Sequence, residues 1–81
     1  MDLKIYNTSG KLVYEVKDDR IYESGRCVYT VAGNQIFSVN GSLAFVLKGS
    51  ILYDSFDNRC YEIRGNWIYD SAENWVFEVR G

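Results

Sequence analysis

The sequence predicts an all-β fold, namely a ten-stranded antiparallel meander of five tandem β-hairpin repeats. A pattern recurs with a period of 15 or 16 residues, which is too short for a pair of helices. The repeated segments are rich in Val, Ile, Tyr and Phe, as strands are, and turn residues separate them. The 81 residues therefore form one domain of five repeats: 4–19, 20–34, 35–50, 51–66 and 67–81.

Four columns of apolar residues align when the repeats are superimposed. The Ile column holds Ile5, Ile21, Ile36, Leu52 and Ile68, and the Tyr column that follows it holds Tyr6, Tyr22, Phe37, Tyr53 and Tyr69. The aromatic column holds Tyr14, Tyr29, Phe45, Tyr61 and Phe77, and the Val column holds Val16, Val31, Leu47, Ile63 and Val79. Such columns indicate duplication of one supersecondary unit.

Turn chemistry predicts how the strands pair. Gly33-Asn34 between two repeats suits a two-residue type II′ turn, and Asn40-Gly41 within a repeat suits type I′. Two-residue turns place Val31 opposite Ile36, and even loops within the hairpins place the Ile and aromatic columns opposite each other. The Ile, aromatic and Val columns then share one face. The second repeat, one residue shorter, is expected to have a three-residue loop.

The other face is expected to carry the Tyr column together with charged residues. The same register places a second set of residues opposite the Tyr column: Val13, Val28, Ala44, Cys60 and Val76. Alternation also places Trp75 on the face of the Ile column, and so in the core.

The apolar face must be covered, because a single open sheet cannot bury it. The sequence has no helical periodicity to supply a cover. A closed or nearly closed barrel, with β-strands meeting at the chain ends, removes both sheet edges. An open sheet packed against a second copy and a solenoid or propeller-like arrangement are the alternatives.

Repeats of the form I-Y-D-S-x-x-N-x-V-Y-E-I-R-G, as in residues 51–66, resemble those of small uncharacterised bacterial proteins. They are also similar to the strand repeats of the LURP-one and tubby-like group, a barrel around a central helix. The resemblance covers the whole chain. It implies a β-barrel and assigns no functional residue.

Composition limits the classes of function. Nine Lys+Arg against eleven Asp+Glu, a net charge of −2, do not favour nucleic acid. The absence of His removes the commonest general base and metal ligand. No apolar run approaches the roughly 20 residues of a membrane helix, and no signal-peptide pattern opens the chain. We expect a cytoplasmic protein with no cofactor, no membrane contact and no enzymatic activity.

Three sets of residues are candidates for a site. Carboxylates at hairpin ends suit acid–base chemistry or Ca²⁺, although such residues are also common in turns; they are Glu23, Asp54, Asp57, Asp70 and Glu73. Lys17, Lys48, Arg64 and Arg80 form a cation column, interrupted by Ala32, that suits either an anion site or pairing with Glu residues. Cys27 and Cys60 are expected to be free thiols.

The Tyr column is the third candidate, because Tyr and Trp are enriched at protein interfaces. The candidate interaction face comprises Tyr6, Tyr22, Phe37, Ile51, Tyr53, Trp67 and Tyr69. Stabilisation of cross-strand pairs is the structural alternative. The sequence thus predicts a non-catalytic protein-interaction or self-association module, with a protein partner or a homo-oligomer. A barrel that binds a small ligand is the second hypothesis and a carboxylate enzyme the third.

Overall fold

The computed structural model describes residues 2–81 and contains, over that range, ten strands and no helix. The strands are β1 (Asp2–Asn7), β2 (Leu12–Lys17), β3 (Arg20–Glu23), β4 (Arg26–Ala32), β5 (Gln35–Ser38), β6 (Leu43–Lys48), β7 (Ile51–Asp54), β8 (Arg59–Arg64), β9 (Trp67–Asp70) and β10 (Trp75–Arg80). Each repeat contributes one odd-numbered and one even-numbered strand. The predicted five-hairpin meander is confirmed.

The meander closes into a barrel, because β1 pairs with β10 as well as with β2. Ile5 lies opposite Val79 and Tyr6 opposite Glu78 across this seam. All neighbouring strands are antiparallel, and the molecule measures 31 × 28 × 18 Å, which describes a wide and shallow barrel. Closure leaves no sheet edge, so the open sheet and the propeller-like arrangement are wrong.

The turns between repeats match the type II′ prediction. Gly33, Gly49 and Gly65 have φ of 63°, 64° and 58°, whereas the residues after them do not have positive φ. A positive φ at the first central position alone is the type II′ signature. The predicted pairing of Val31 with Ile36 follows and is present.

The loops within repeats differ from the prediction. Asn7 N–H donates to the Lys11 carbonyl at 2.9 Å and Gly10 N–H donates to the Asn7 carbonyl at 3.0 Å, which encloses a three-residue loop. Gly41 has φ of 92° while Asn40 does not have positive φ, so that turn is type I followed by a left-handed residue, not type I′. The shorter second repeat has the two-residue turn Ser24-Gly25 instead of three residues.

A β-bulge in every hairpin restores the predicted register further along. In the first repeat, Ile5 pairs with Tyr14 but Tyr6 pairs with Leu12, which leaves Val13 as the extra residue. The three loop residues and the one bulge residue add up to four, which is the even number of unpaired residues that the sequence suggested. The predicted pairs of the Ile and aromatic columns are therefore correct, but the predicted partners of the Tyr column are wrong by one residue.

Trp75 lies on the outer face, contrary to the predicted core position. The bulge between Trp75 and Phe77 breaks the alternation, so that Trp75 pairs with the outward Tyr69. Trp75 is 42% exposed. Strict alternation, counted back from the inward-facing Phe77, would place Trp75 on the inner face. That count assumes a ladder without a bulge.

The inner face of the barrel, here called the lumen, carries the Ile, aromatic and Val columns. The register pairs these columns with one another around the barrel, as between Val16 and Ile21. Ile68 is the one hydrophobic residue in the described range that is almost fully buried, at 7% exposed. The other lumen residues are half-buried, as expected in a shallow barrel with two mouths.

The loop position after each type I turn offers a stability test. Gly10 and Gly41 occupy it with φ of 83° and 92°, but Asp57 occupies it with φ of 66°. We expect Asp57→Gly to raise stability by about 0.5 kcal/mol, because left-handed backbone strains a residue with a Cβ. The change also removes the ion pair between Asp57 and Lys48, whose charged atoms are 3.5 Å apart. This pair is exposed and contributes little to stability.

Thermal melting measures the effect. Glu73 occupies the same position with φ of 68°, but it pairs with both Arg59 and Arg64. Glu73→Gly is the control, and we expect it to raise the melting temperature less than Asp57→Gly does. A lower melting temperature for Asp57→Gly would contradict the strain argument.

Candidate functional site

The Tyr column lies on the outer surface and runs around the whole barrel. Tyr6, Tyr22, Phe37, Tyr53 and Tyr69 lie on β1, β3, β5, β7 and β9, so closure distributes them over the circumference. Ile51 and Trp67 begin β7 and β9 on the same outer face, each paired with the last residue of the preceding strand. The seven predicted face residues therefore do not form one contiguous patch.

Cations from the predicted Lys/Arg column cover four rings of the Tyr column. Arg80 lies 4.4 Å from the ring centroid of Tyr6, across the closure seam, and Arg64 lies 4.6 Å from that of Tyr69. Lys48 over Tyr53 and Lys17 over Tyr22 are 5.2 and 5.8 Å away. These distances are within the roughly 6 Å of a cation–π contact. The cation column thus stabilises the outer wall from one repeat to the next.

Ion pairs extend this arrangement on β8. Arg64 contacts Glu62 at 2.8 Å and Glu73 at 2.6 Å, and Arg59 contacts the same two carboxylates at 2.8 and 3.1 Å. Hydrogen bonds from Arg64 and then Arg59 lower the pKa of Glu73. The network holds the β9–β10 loop against β8 and fixes the position of the Arg64 guanidinium.

An exposed aromatic patch lies beside this network. The rings of Trp67 and Trp75 meet edge to face, with centroids 5.2 Å apart and planes at 86°. Each residue is 42% exposed, and Trp75 Nε1–H donates to the Phe77 carbonyl at 2.8 Å. Tyr69 pairs with Trp75, and Arg64 covers Tyr69. We call Trp67, Tyr69, Trp75 and Arg64 the Trp patch.

The sequence pattern indicates the outer positions of Trp67 and Tyr69 but not that of Trp75. The equivalent positions in the other repeats are Leu12, Cys27, Leu43 and Arg59, which share no chemistry that marks the outer face. Only the arginine in the fourth repeat hinted that the column faces water.

The carboxylates at hairpin ends organise their own loops. Asp54 Oδ1 accepts hydrogen bonds from the N–H groups of Phe56 and Asn58, at 2.8 and 2.9 Å. Asp70 Oδ1 accepts from those of Ala72 and Asn74, both at 2.9 Å. Asn7 Oδ1 does the same in the first repeat. An amide replaces the carboxylate there, so the loop needs an acceptor and not a charge.

Residues 2–81 contain no group of three or more His, Cys, Asp and Glu placed to hold a metal ion. Cys27 and Cys60 are free thiols, and both are half-buried. The Cys27 thiol donates to the Tyr29 carbonyl at 3.4 Å. Residues 2–81 also include no helix that could span a membrane.

The loop carboxylates predict loss of stability in acid. Hydrogen bonds from backbone N–H groups, foremost those of Asn58 and Asn74, lower the pKa of Asp54 and of Asp70. A group whose pKa is lower in the folded state stabilises the fold above its unfolded pKa of about 3.9 and loses that contribution as pH falls through the folded pKa. We therefore expect the melting temperature to fall below about pH 4.

The double variant Asp54→Asn/Asp70→Asn measures this contribution. It retains an acceptor, as Asn7 shows, but cannot be protonated in this pH range. We expect its melting temperature to depend less on pH between about 4 and 2 than that of the wild type. Parallel melting curves for the two proteins would contradict the assignment.

No protein-family model, curated protein or solved structure matches the chain. The fold and the outer surface are therefore the grounds for a functional proposal.

Proposed function

We propose that the protein is a non-catalytic interaction module that binds through the Trp patch, with a second copy of the chain as its first expected partner. The observation that carries the proposal is the exposure of two tryptophan rings in contact with each other. Trp, Tyr and Arg dominate binding energy at protein interfaces. All three residue types occur in this patch.

Rigidity supports the same proposal. The Trp75 indole is held by its hydrogen bond to Phe77, and Arg64 is held by two carboxylates. Side chains that are already fixed lose little conformational entropy on binding. The mixture of positive and negative groups around the rings also suits contact between two copies, because groups of opposite charge on the two copies can face each other across the interface.

The non-catalytic part of the proposal is supported by the use of the polar groups. Asp54 and Asp70 are occupied by loop N–H groups, and Glu73 by two arginines. Asp54 and Asp70 make the same loop contacts in the fourth and fifth repeats. The net charge of −2 supports a protein partner rather than nucleic acid.

Tryptophan fluorescence tests the proposal, because the chain has two Trp residues and both belong to the patch. We expect sedimentation equilibrium to show a dimer that forms with rising concentration. Over the same range, quenching of the emission by acrylamide should decrease, since the interface shields both rings.

Trp67→Ala is expected to abolish dimerisation and leave a folded monomer. Phe56→Ala is the matched control, because Phe56 is 83% exposed in the loop after β7, outside the patch. We expect it to leave the dimer unchanged. A wild type that stays monomeric at every concentration, or a Trp67→Ala variant that still dimerises, would contradict self-association through this patch.

A further inference from the structure

The lumen contains a cavity of about 170 Å³. It is lined by the Ile column and the aromatic column: Ile5, Tyr14, Ile21, Tyr29, Ile36, Phe45, Leu52, Tyr61, Ile68 and Phe77. Side chains just fill a barrel of about eight strands, and a barrel of ten strands is wider. The large residues of the two columns therefore narrow the lumen without closing it.

Five aromatic rings surround this cavity. Ring contacts link Tyr29 to Phe45, Phe45 to Tyr61, Tyr61 to Phe77 and Phe77 to Tyr14, with centroids 6.1, 6.4, 6.1 and 6.2 Å apart. The five rings line one central space, and cation–π attraction operates to roughly 6 Å from a ring centroid. The wall of the cavity is thus an aromatic cage.

The mouth beside these rings carries the aspartates Asp54 and Asp70, and at the same end of the barrel Glu23 pairs with Arg26. The register places Asp54 opposite Phe45 and Asp70 opposite Tyr61, so both aspartates share the face of the aromatic column. Their hydrogen bonds lower the pKa of each, and both are charged at neutral pH. Burial and then the charge of Glu23 raise the pKa of Tyr14. The lumen columns include no Lys or Arg.

We propose that the lumen binds a small organic cation of the quaternary ammonium or methylated amine class. The aromatic cage would surround the methylated head group, and Asp54 and Asp70 at the mouth would attract its charge. A dry cavity of about 150 Å³ accommodates benzene, so the volume suits a head group of that size. This site lies inside the barrel, apart from the Trp patch, and does not depend on the proposed self-association.

Choline is a suitable probe, because 3,3-dimethyl-1-butanol is its uncharged counterpart of the same shape. Titration followed by ¹H NMR should move the N-methyl signal of choline upfield, since the rings shield it. We expect the neutral counterpart to bind about tenfold more weakly. Absence of binding by both compounds, or equal binding of both, would overturn the proposal; equal binding would indicate a purely apolar cavity.

The mouth is tested with Asp54→Asn/Asp70→Asn, which keeps one oxygen acceptor in each loop and removes two charges. We expect choline affinity to fall by about three- to tenfold, with no change for the neutral compound. Phe45→Leu tests the cage, because it keeps an apolar side chain and removes one ring. Circular dichroism confirms that each variant is folded. Unchanged choline affinity in both folded variants would contradict the site.

Discussion

Replacement of Phe45 by alanine is expected to destabilise the protein by about 3 kcal/mol. Phe45 lies on β6 and lines the lumen, where its ring centroid is 6.1 Å from that of Tyr29 and 6.4 Å from that of Tyr61. The variant loses both ring contacts and enlarges the cavity that Phe45 lines. Both losses lower the free energy of unfolding. Chemical denaturation in urea measures the change.

Two control variants distinguish lumen packing from general loss of aromatic area. Phe56→Ala removes the same side chain at a position that is 83% exposed, and we expect a change below about 0.5 kcal/mol. Tyr53→Ala removes an outer ring and its contact with Lys48, for which about 1 kcal/mol is expected. Equal losses for Phe45→Ala and Tyr53→Ala in the monomer would contradict the assignment of the two faces.

Replacement of Glu78 by proline is expected to destabilise the protein by about 1–3 kcal/mol and to open the barrel, because it removes a hydrogen bond from the strand ladder. Val79 N–H donates to the Asn66 carbonyl on the β9 side at 2.7 Å. Successive N–H groups of a strand point in opposite directions, so Glu78 N–H faces β1. Proline removes this donor from the seam, where Glu78 lies opposite Tyr6.

The loss of stability in the proline variant depends on closure of the barrel, so this variant tests closure. In an open sheet β10 would be an edge strand, and proline is tolerated where an edge N–H faces solvent. Glu78→Ala is the control, because it removes the same carboxylate and its 3.0 Å contact with Arg80 but keeps the N–H group. A proline variant as stable as the alanine variant would contradict the closed seam.

The fold was predictable because the repeats constrain one another. Between repeats, Gly33, Gly49 and Gly65 each occupy a position that requires positive φ, and the turn type fixes the pairing. That pairing brings the Ile and Val columns together, as observed for Val31 and Ile36. A continuous apolar face without a helix then favours closure.

The bulges were not predictable from alternation. A three-residue loop with a bulge and a four-residue loop without one give the same pairing of Ile5 with Tyr14. The two arrangements differ only in the residues between the loop and the bulge. On the even-numbered strands, no apolar column falls in this interval to show which pairing is correct. This interval contains Leu12, Cys27, Leu43, Arg59 and Trp75. The predicted inward position of Trp75 is the error that resulted.

The character of the outer face was only partly predictable. The Tyr column and the cation column were each visible, and Ala32 was visible as the interruption. Their contact depends on the barrel: Arg80 reaches Tyr6 only because the last strand meets the first. The lumen cavity likewise depends on barrel width, a property of the whole ring of strands and not of any one repeat.

Interstrand NOEs between β1 and β10 test the closed barrel most directly. The closed barrel predicts backbone NOEs that connect Lys4 with Arg80 and Tyr6 with Glu78, together with slow amide exchange at the seam. In a sample that mixes labelled and unlabelled chains, an isotope-filtered spectrum should not contain them, because the contact lies within one chain. Missing seam NOEs, or seam NOEs found only between chains, would contradict closure and with it the lumen, the cage and the outer cation contacts across the seam.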